Sequence, residues 1–289
     1  MRIWISYALW PGLMMAAIIG NYFAMQTAVP MFWLNVNYFS LAAAILLLER
    51  IMPYEKAWLA NDGQLGPDIG HTLLSKASVQ ALIIAPAAMG AVSISDLSPA
   101  SWWPENLPLV LQVLLALACA ECGFYVAHRL GHEWPLMWRF HAVHHSVTRL
   151  WAVNTGRFHF VDTLIKVLVG VAIAILIGAP KPIIVWVSAI TGFIGLLTHA
   201  NVEMRGGILN YIFNTPDLHR WHHSMNPAEG NRNYGENLMF VDLLFGTFFY
   251  PAKRRPPVDI GIRDPMPATL GQQILHPFRT RQLGPPQDA

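Results

Sequence analysis

Twelve histidines stand in this chain, and eight of them fall into three short motifs. His128 and His132 lie four apart in HRLGH, His141, His144 and His145 stand in FHAVHHS, and His219, His222 and His223 stand in LHRWHHS. On a helix, side chains three or four residues apart share a face, so each motif can present two imidazoles to one metal ion. In each H-x-x-H-H unit the first two histidines are expected on one face and the third swung about 100° away. One unit can then serve one metal and reach towards a second. A single histidine is usually a hydrogen-bonded core or interfacial ring. Eight in three tight clusters, on a chain this apolar, need another reason.

Imidazole suits zinc, copper, iron and nickel alike, so ligand type leaves the metal open. A zinc hydrolase usually combines three protein ligands with a carboxylate base, as in H-E-x-x-H, and that motif is absent. Eight imidazoles exceed what one ion can use. The economical reading is two metals, each with several histidines and with open positions for O2.

The elements that must position these side chains are written in the hydropathy. Of 289 residues 54% are hydrophobic and 12% charged, against about a quarter charged in a soluble domain. Residues 3–48 contain no charged side chain, which is room for two spans of about 20 residues, broken near Ala28, Val29 and Pro30. Further uncharged runs cover residues 77–95, 106–120 and 182–202, with a shorter one at 167–180. The expected architecture is an all-α integral membrane protein of about four spans plus an apolar helical hairpin over 160–199, with a cytosolic helical cap carrying the histidines. Lys166 shortens the first arm of that hairpin, so a full crossing and a re-entrant pair read alike.

Arg50, Lys56, Arg129, Arg139, Arg149, Arg157 and the basic residues after 202 fall on one side of this arrangement, with Lys181 on the other. The positive-inside rule then makes the N-terminus, the histidine clusters and the C-terminus cytoplasmic. The first apolar run is too long for a signal peptide and lacks a small-residue cleavage site, so it is expected to remain. A net charge of +2 gives no case for nucleic acid, and Lys253, Arg254 and Arg255 suit anionic headgroups better. Cys119 and Cys122 have no second pair, so no disulfide framework is expected. Residues 1–263 read as a single membrane-embedded domain with its motif-bearing core at 121–250. Residues 264–289, rich in Pro, Gln and Gly, read as a poorly ordered tail.

The three motifs resemble the H-x3-H, H-x2-HH, H-x2-HH signature of the fatty acid hydroxylase and sterol desaturase superfamily, membrane di-iron oxygenases. The surrounding ECGFYVAHRLGH, LMWRFHAVHHS, TPDLHRWHHS and NYGENLMFVDLLFGT are similar to that superfamily's blocks, in its order, over roughly residues 121–250. The resemblance implies two iron ions held by the eight motif histidines, O2 as co-substrate, and hydrogen removal from an unactivated C–H bond. It adds His159, in RFHFVD, where the family has R-x-H-P-x-E and this chain has Phe160 for the proline and Asp162 for the glutamate. His199, in THANVE, matches a further family histidine that enters the same cluster.

The expected substrate is a membrane lipid: fatty acyl, sterol-like or amino-acid-containing. Oxygen delivery gives an alcohol and a second hydrogen removal gives an alkene, so a desaturase is the alternative, with a zinc-dependent membrane hydrolase behind it. No haem- or flavin-binding module is recognisable, so a separate electron donor is expected, of ferredoxin or cytochrome b5 type with a reductase. A bis-histidine haem carrier would need histidines near both faces, and a transporter would need polar groups through its spans. Around the ligands, Glu121 lies two helical turns before His128. It and Asp217, Asn233 and Asp242 are candidates to accept a proton from a ligand imidazole and fix its tautomer. Asp217 serves equally well as a helix N-cap. His71 and His276 lie outside the motifs and read as structural.

Overall fold

The opening apolar run breaks where proline dictates. Helix α1 covers Arg2–Ala24, and α2 covers Pro30–Ile51 with Pro30 in its first turn, where the missing N–H costs nothing. The computed structural model describes residues 2–79 and 102–279, so most of the span expected at 77–95 and the final residues 280–289 lie outside the described residues. The remaining helices are α3 (Leu65–Val79), α4 (Leu109–Glu133), α5 (Pro135–His145), α6 (Phe160–Leu176), α7 (Lys181–Thr198), α8 (Pro216–His222), α9 (Pro227–Gly230), α10 (Phe240–Phe245) and α11 (Leu270–Arg279). Among the described residues β pairing is limited to isolated bridges, so the expected all-α class holds. Four helices, α1, α2, α4 and α7, are long and apolar enough to cross a membrane. The expected hairpin turn is present, with Gly178 at φ +87° after α6.

The chain forms two compact, interleaved units. The first comprises Met1–Gly63, Thr148–Thr155 and Ser188–Gly261, the second Gln64–Val147, Gly156–Val187 and Ile262–Ala289. In the first unit, α1 and α2 pack together, and Asn37 Nδ2 donates to the Ala17 carbonyl at 2.8 Å. Glu49, buried at the end of α2, accepts from the backbone N–H of Ala152 at 2.8 Å and of Asn201 at 3.0 Å. One carboxylate thus fastens two distant loops to a helix long and apolar enough to cross a membrane.

In the second unit, α4 and α6 make the most intimate helix contact. A Cβ on Gly123 would stand 2.2 Å from the Val169 carbonyl, and one on Gly170 would stand 2.1 Å from the Phe124 ring. Small residues let helix backbones approach where lipid offers no hydrophobic driving force. Gly123→Ala is therefore expected to destabilise by about 1–3 kcal/mol. Gly12→Ala, where a Cβ meets nothing within 4 Å, leaves the thermal midpoint in detergent unchanged.

Order extends into the segment expected as a loose tail. On α11, buried Gln273 donates to Gln64 Oε1 at 2.9 Å and to the Pro267 carbonyl at 2.7 Å, while its Oε1 accepts from His71 Nε2 at 3.1 Å. Polar docking of this kind carries no weight in a hydropathy reading. Burial, reinforced by the Arg157 guanidinium, pushes the His71 pKa down to about 4, so its ring is a neutral donor. Arg157 itself lies buried against Asp68 at 2.7 Å and also donates to the Val143 carbonyl of α5 at 3.3 Å.

Candidate metal centre

The second unit builds one histidine set from two helices. Helix α4 ends at Glu133, Trp134 is extended, and Pro135 opens α5, so the chain turns sharply between HRLGH and HAVHH. Gly131 permits the return: a Cβ there would lie 3.2 Å from the His141 ring. His128, His132, His141 and His145 are all buried and place ligand nitrogens within 4.8 Å of one another. His145 Nε2 lies 3.0 Å from His132 Nε2 and 3.1 Å from His141 Nε2.

Those separations can be tested against metal chemistry. His141 Nδ1–H donates to Asp162 Oδ2 at 2.9 Å, which leaves the Nε2 of a neutral ring as a bare lone pair facing the set. Metal–imidazole bonds of about 2.0–2.1 Å put neighbouring ligand nitrogens about 3 Å apart. The donor set therefore fits a first-row metal ion.

The first unit repeats the device. His199, just after α7, joins His219 of α8 and His223 at its C-cap with ligand nitrogens within 4.8 Å, all buried. His219 Nε2 and His223 Nε2 lie 3.1 Å apart. His199 Nδ1–H donates to Asn154 Oδ1 at 2.9 Å, and Asn154 is itself held by donating to the Arg149 carbonyl at 2.9 Å. His222 Nδ1–H donates to the Arg232 carbonyl at 2.8 Å.

The pairing within each H-x-x-H-H unit differs from expectation. The first and third histidines share a set, His141 with His145 and His219 with His223. Position i+4 lies about 40° from i on a helix and i+3 about 60° on the other side, so either can join i. Here i+4 does, and His144 stacks on Phe158 with centroids 4.0 Å apart and planes at 9°.

His159, an expected ligand, lies outside both sets. Its Nε2–H donates to the Ile274 carbonyl at 3.1 Å and its Nδ1 accepts from Val161 N–H at 3.2 Å, which makes it the N-cap of α6. With both nitrogens engaged, the ring joins neither set. The same RFHFVD block contributes through Asp162 instead.

Of the expected supporting residues, Asp217, Asn233 and Asp242 bond to the backbone. Glu121 is fully buried in α4. Asp217 accepts from Gly206 N–H at 2.9 Å and faces Arg220 at 3.7 Å. Arg220, fully buried, donates to the Ala200 and Val202 carbonyls at 2.9 Å each and lies 3.7 Å over the Tyr54 ring. Burial pushes the Asp217 carboxyl up and the Arg220 guanidinium offsets part of that shift. Asp242 accepts from Tyr234 N–H, Gly235 N–H and the Thr247 hydroxyl. Asn233, at φ +56°, exchanges two hydrogen bonds with the backbone of Phe249. Asp162, Asn154 and the Arg232 carbonyl, which bond to rings of the sets or beside them, were not among the candidates. Asp162 could have been found from its place in RFHFVD, whereas the others have no sequence signal.

The fatty acid hydroxylase profile matches residues 113–247. The ornithine lipid hydroxylase OlsE of Rhizobium tropici is 50% identical over 279 residues, covering 95% of this chain and 84% of the relative. An alkylglycerol monooxygenase of Xenopus tropicalis is 28% identical over 52% of this chain and 31% of its own length, and that of Homo sapiens 30% over 44% and 28%. No solved structure gives a significant match. The match along nearly the whole length of a lipid hydroxylase, over the segment that carries the histidine sets, leaves one assignment: the chain belongs to the fatty acid hydroxylase family.

Proposed function

We propose that this protein is an O2-dependent di-iron hydroxylase of a membrane lipid, and that the lipid carries an amino-acid headgroup of the ornithine-lipid type. The observation that carries the reading is the pair of buried imidazole sets with Nε2 atoms about 3 Å apart. The similarity to a relative named for ornithine lipid directs the choice of substrate. The irons, when bound, supply the O2 activation needed to functionalise a C–H bond.

The chain's own residues do the rest. His128, His132, His141 and His145 would hold one iron and His199, His219 and His223 the other, with His144 and His222 completing the ligands. Asp162 and Asn154 take the Nδ1 protons of His141 and His199, so each ring turns a lone pair inward. Burial of the sets excludes bulk water. Electrons arrive from a separate donor of ferredoxin or cytochrome b5 type. The distribution of basic residues supports a multi-pass protein with the N-terminus, the histidines and the C-terminus cytoplasmic.

Lipid mass spectrometry of cells expressing the wild type or His132→Ala tests the reaction. A lipid heavier by about 16 mass units in the wild type alone supports hydroxylation. A loss of about 2 units makes the enzyme a desaturase, and an oxygen-independent change favours a zinc hydrolase. The support for His199 is separately testable. Asn154→Leu is expected to retain about ten- to a hundredfold less iron against a chelator, while Asn154→Asp, which keeps the acceptor, stays near wild type. Iron per chain after dialysis reads the difference.

A further inference from the structure

The first unit turns an apolar surface outward that the histidine sets do not use. It is formed by Ile208 and Ile212, in and just after the 3-10 turn Gly207–Tyr211, and by Phe240, Leu243, Leu244 and Phe245 of α10. Ile208 is 79% exposed and Leu244 74%. Helix α10 is built inside out: its buried positions are Val241 and Asp242, and the Asp242 carboxylate takes three protein donors. A helix facing water reverses that pattern, with its apolar stripe inward.

What covers this surface follows from its attachment. The two segments are joined by the Phe213–Leu238 bridge and by Met239 N–H donating to the Ile212 carbonyl at 3.0 Å. The first of them is pinned to the first turns of α1, and α10 is held to it through the bridge. Arg205 N–H donates to the Ser6 carbonyl at 2.9 Å, the Trp10 and Phe213 rings lie 5.0 Å apart, and Gly207 abuts Tyr7. At that same end α1 exposes Ile3, Trp4 and Tyr7. The patch is therefore continuous with the outward face of a helix apolar enough to cross a bilayer, at the level where that helix leaves the hydrocarbon. Tyr211, packed beside Phe248 and Tyr250, adds the aromatic residues typical of that depth.

We propose that the surface formed by Gly207–Tyr211 and α10 is embedded in the interfacial layer of a phospholipid bilayer, with Ile208 and Leu244 among the upper acyl chains. It seats on the membrane the unit that carries His199, His219 and His223. The inference rests on α1 being a span and is independent of the reaction catalysed.

The test places a single cysteine at Leu244 or Ile208 in a Cys119→Ser, Cys122→Ser background. The full chain is labelled with bimane in nanodiscs of phosphatidylcholine and phosphatidylglycerol. Exposed Lys253 serves as the aqueous reference. Both labels are expected to be quenched by lipid bearing a nitroxide high on its acyl chain and to lose the iodide quenching seen at Lys253. Iodide quenching equal to that at Lys253, without lipid quenching, overturns the proposal. Shielding from both quenchers together with a Leu244→Cys cross-link between chains also overturns it, in favour of a second copy. Photo-crosslinking of the wild-type chain with diazirine lipid gives an answer should the cysteine variants misfold. Adducts within 205–213 and 240–249 support the proposal, and their absence when α1 is labelled contradicts it.

Discussion

His145→Ala is expected to lose one iron and more than a hundredfold of the lipid hydroxylation, while His159→Ala keeps both irons. The resemblance implies both as ligands, His145 within the H-x2-HH signature and His159 within a block that departs from the family's at Phe160 and Asp162, and the geometry separates them. His145 Nε2 lies about equally close to the Nε2 atoms of His132 and His141, at 3.0 and 3.1 Å, so its removal opens the middle of a set. His159 spends its nitrogens on Ile274 and Val161, so its removal costs a helix cap, about 1 kcal/mol. Iron analysis and thermal unfolding of the two variants, side by side, read the contrast. Loss of iron from His159→Ala to the same degree as from His145→Ala would return His159 to the ligand set.

Asp68→Ala is expected to be the most destabilising single change away from the histidines. The Arg157–Asp68 pair is buried on both sides, with side-chain exposures of 2% and 1% at 2.7 Å. Removing the carboxylate leaves a buried guanidinium without its countercharge, at a cost of about 3–5 kcal/mol. Replacing both partners, Asp68→Leu with Arg157→Met, should recover most of that loss, because neither desolvated charge remains. Arg157 also supports the Val143 carbonyl on the histidine-bearing α5, so the double variant is expected to fold well yet bind iron less firmly. Apparent melting temperatures and iron content of the single and double variants check both statements.

Much of this architecture is legible in the residues themselves. The break at Pro30, the uncharged runs that become α1, α2, α4 and α7, and the hairpin turn at Gly178 follow from hydropathy and backbone chemistry alone. The motif histidines are legible because four-residue spacing puts rings on one helical face. Which doublet member joins the first is not legible, since i+3 and i+4 flank position i almost equally. Contacts made across long stretches of chain are equally hidden. Asn154 meets His199 across 45 residues, and Glu49 reaches Asn201 across 152. Helix α11 is not legible by composition, because the buried glutamine contacts that anchor it carry no hydropathy signal.

Metal analysis of the wild-type protein purified without oxygen tests the central claim most directly. About two irons per chain are expected, falling to about one in His145→Ala. A single tightly held zinc, or a haem absorption spectrum in place of non-haem iron, would contradict it.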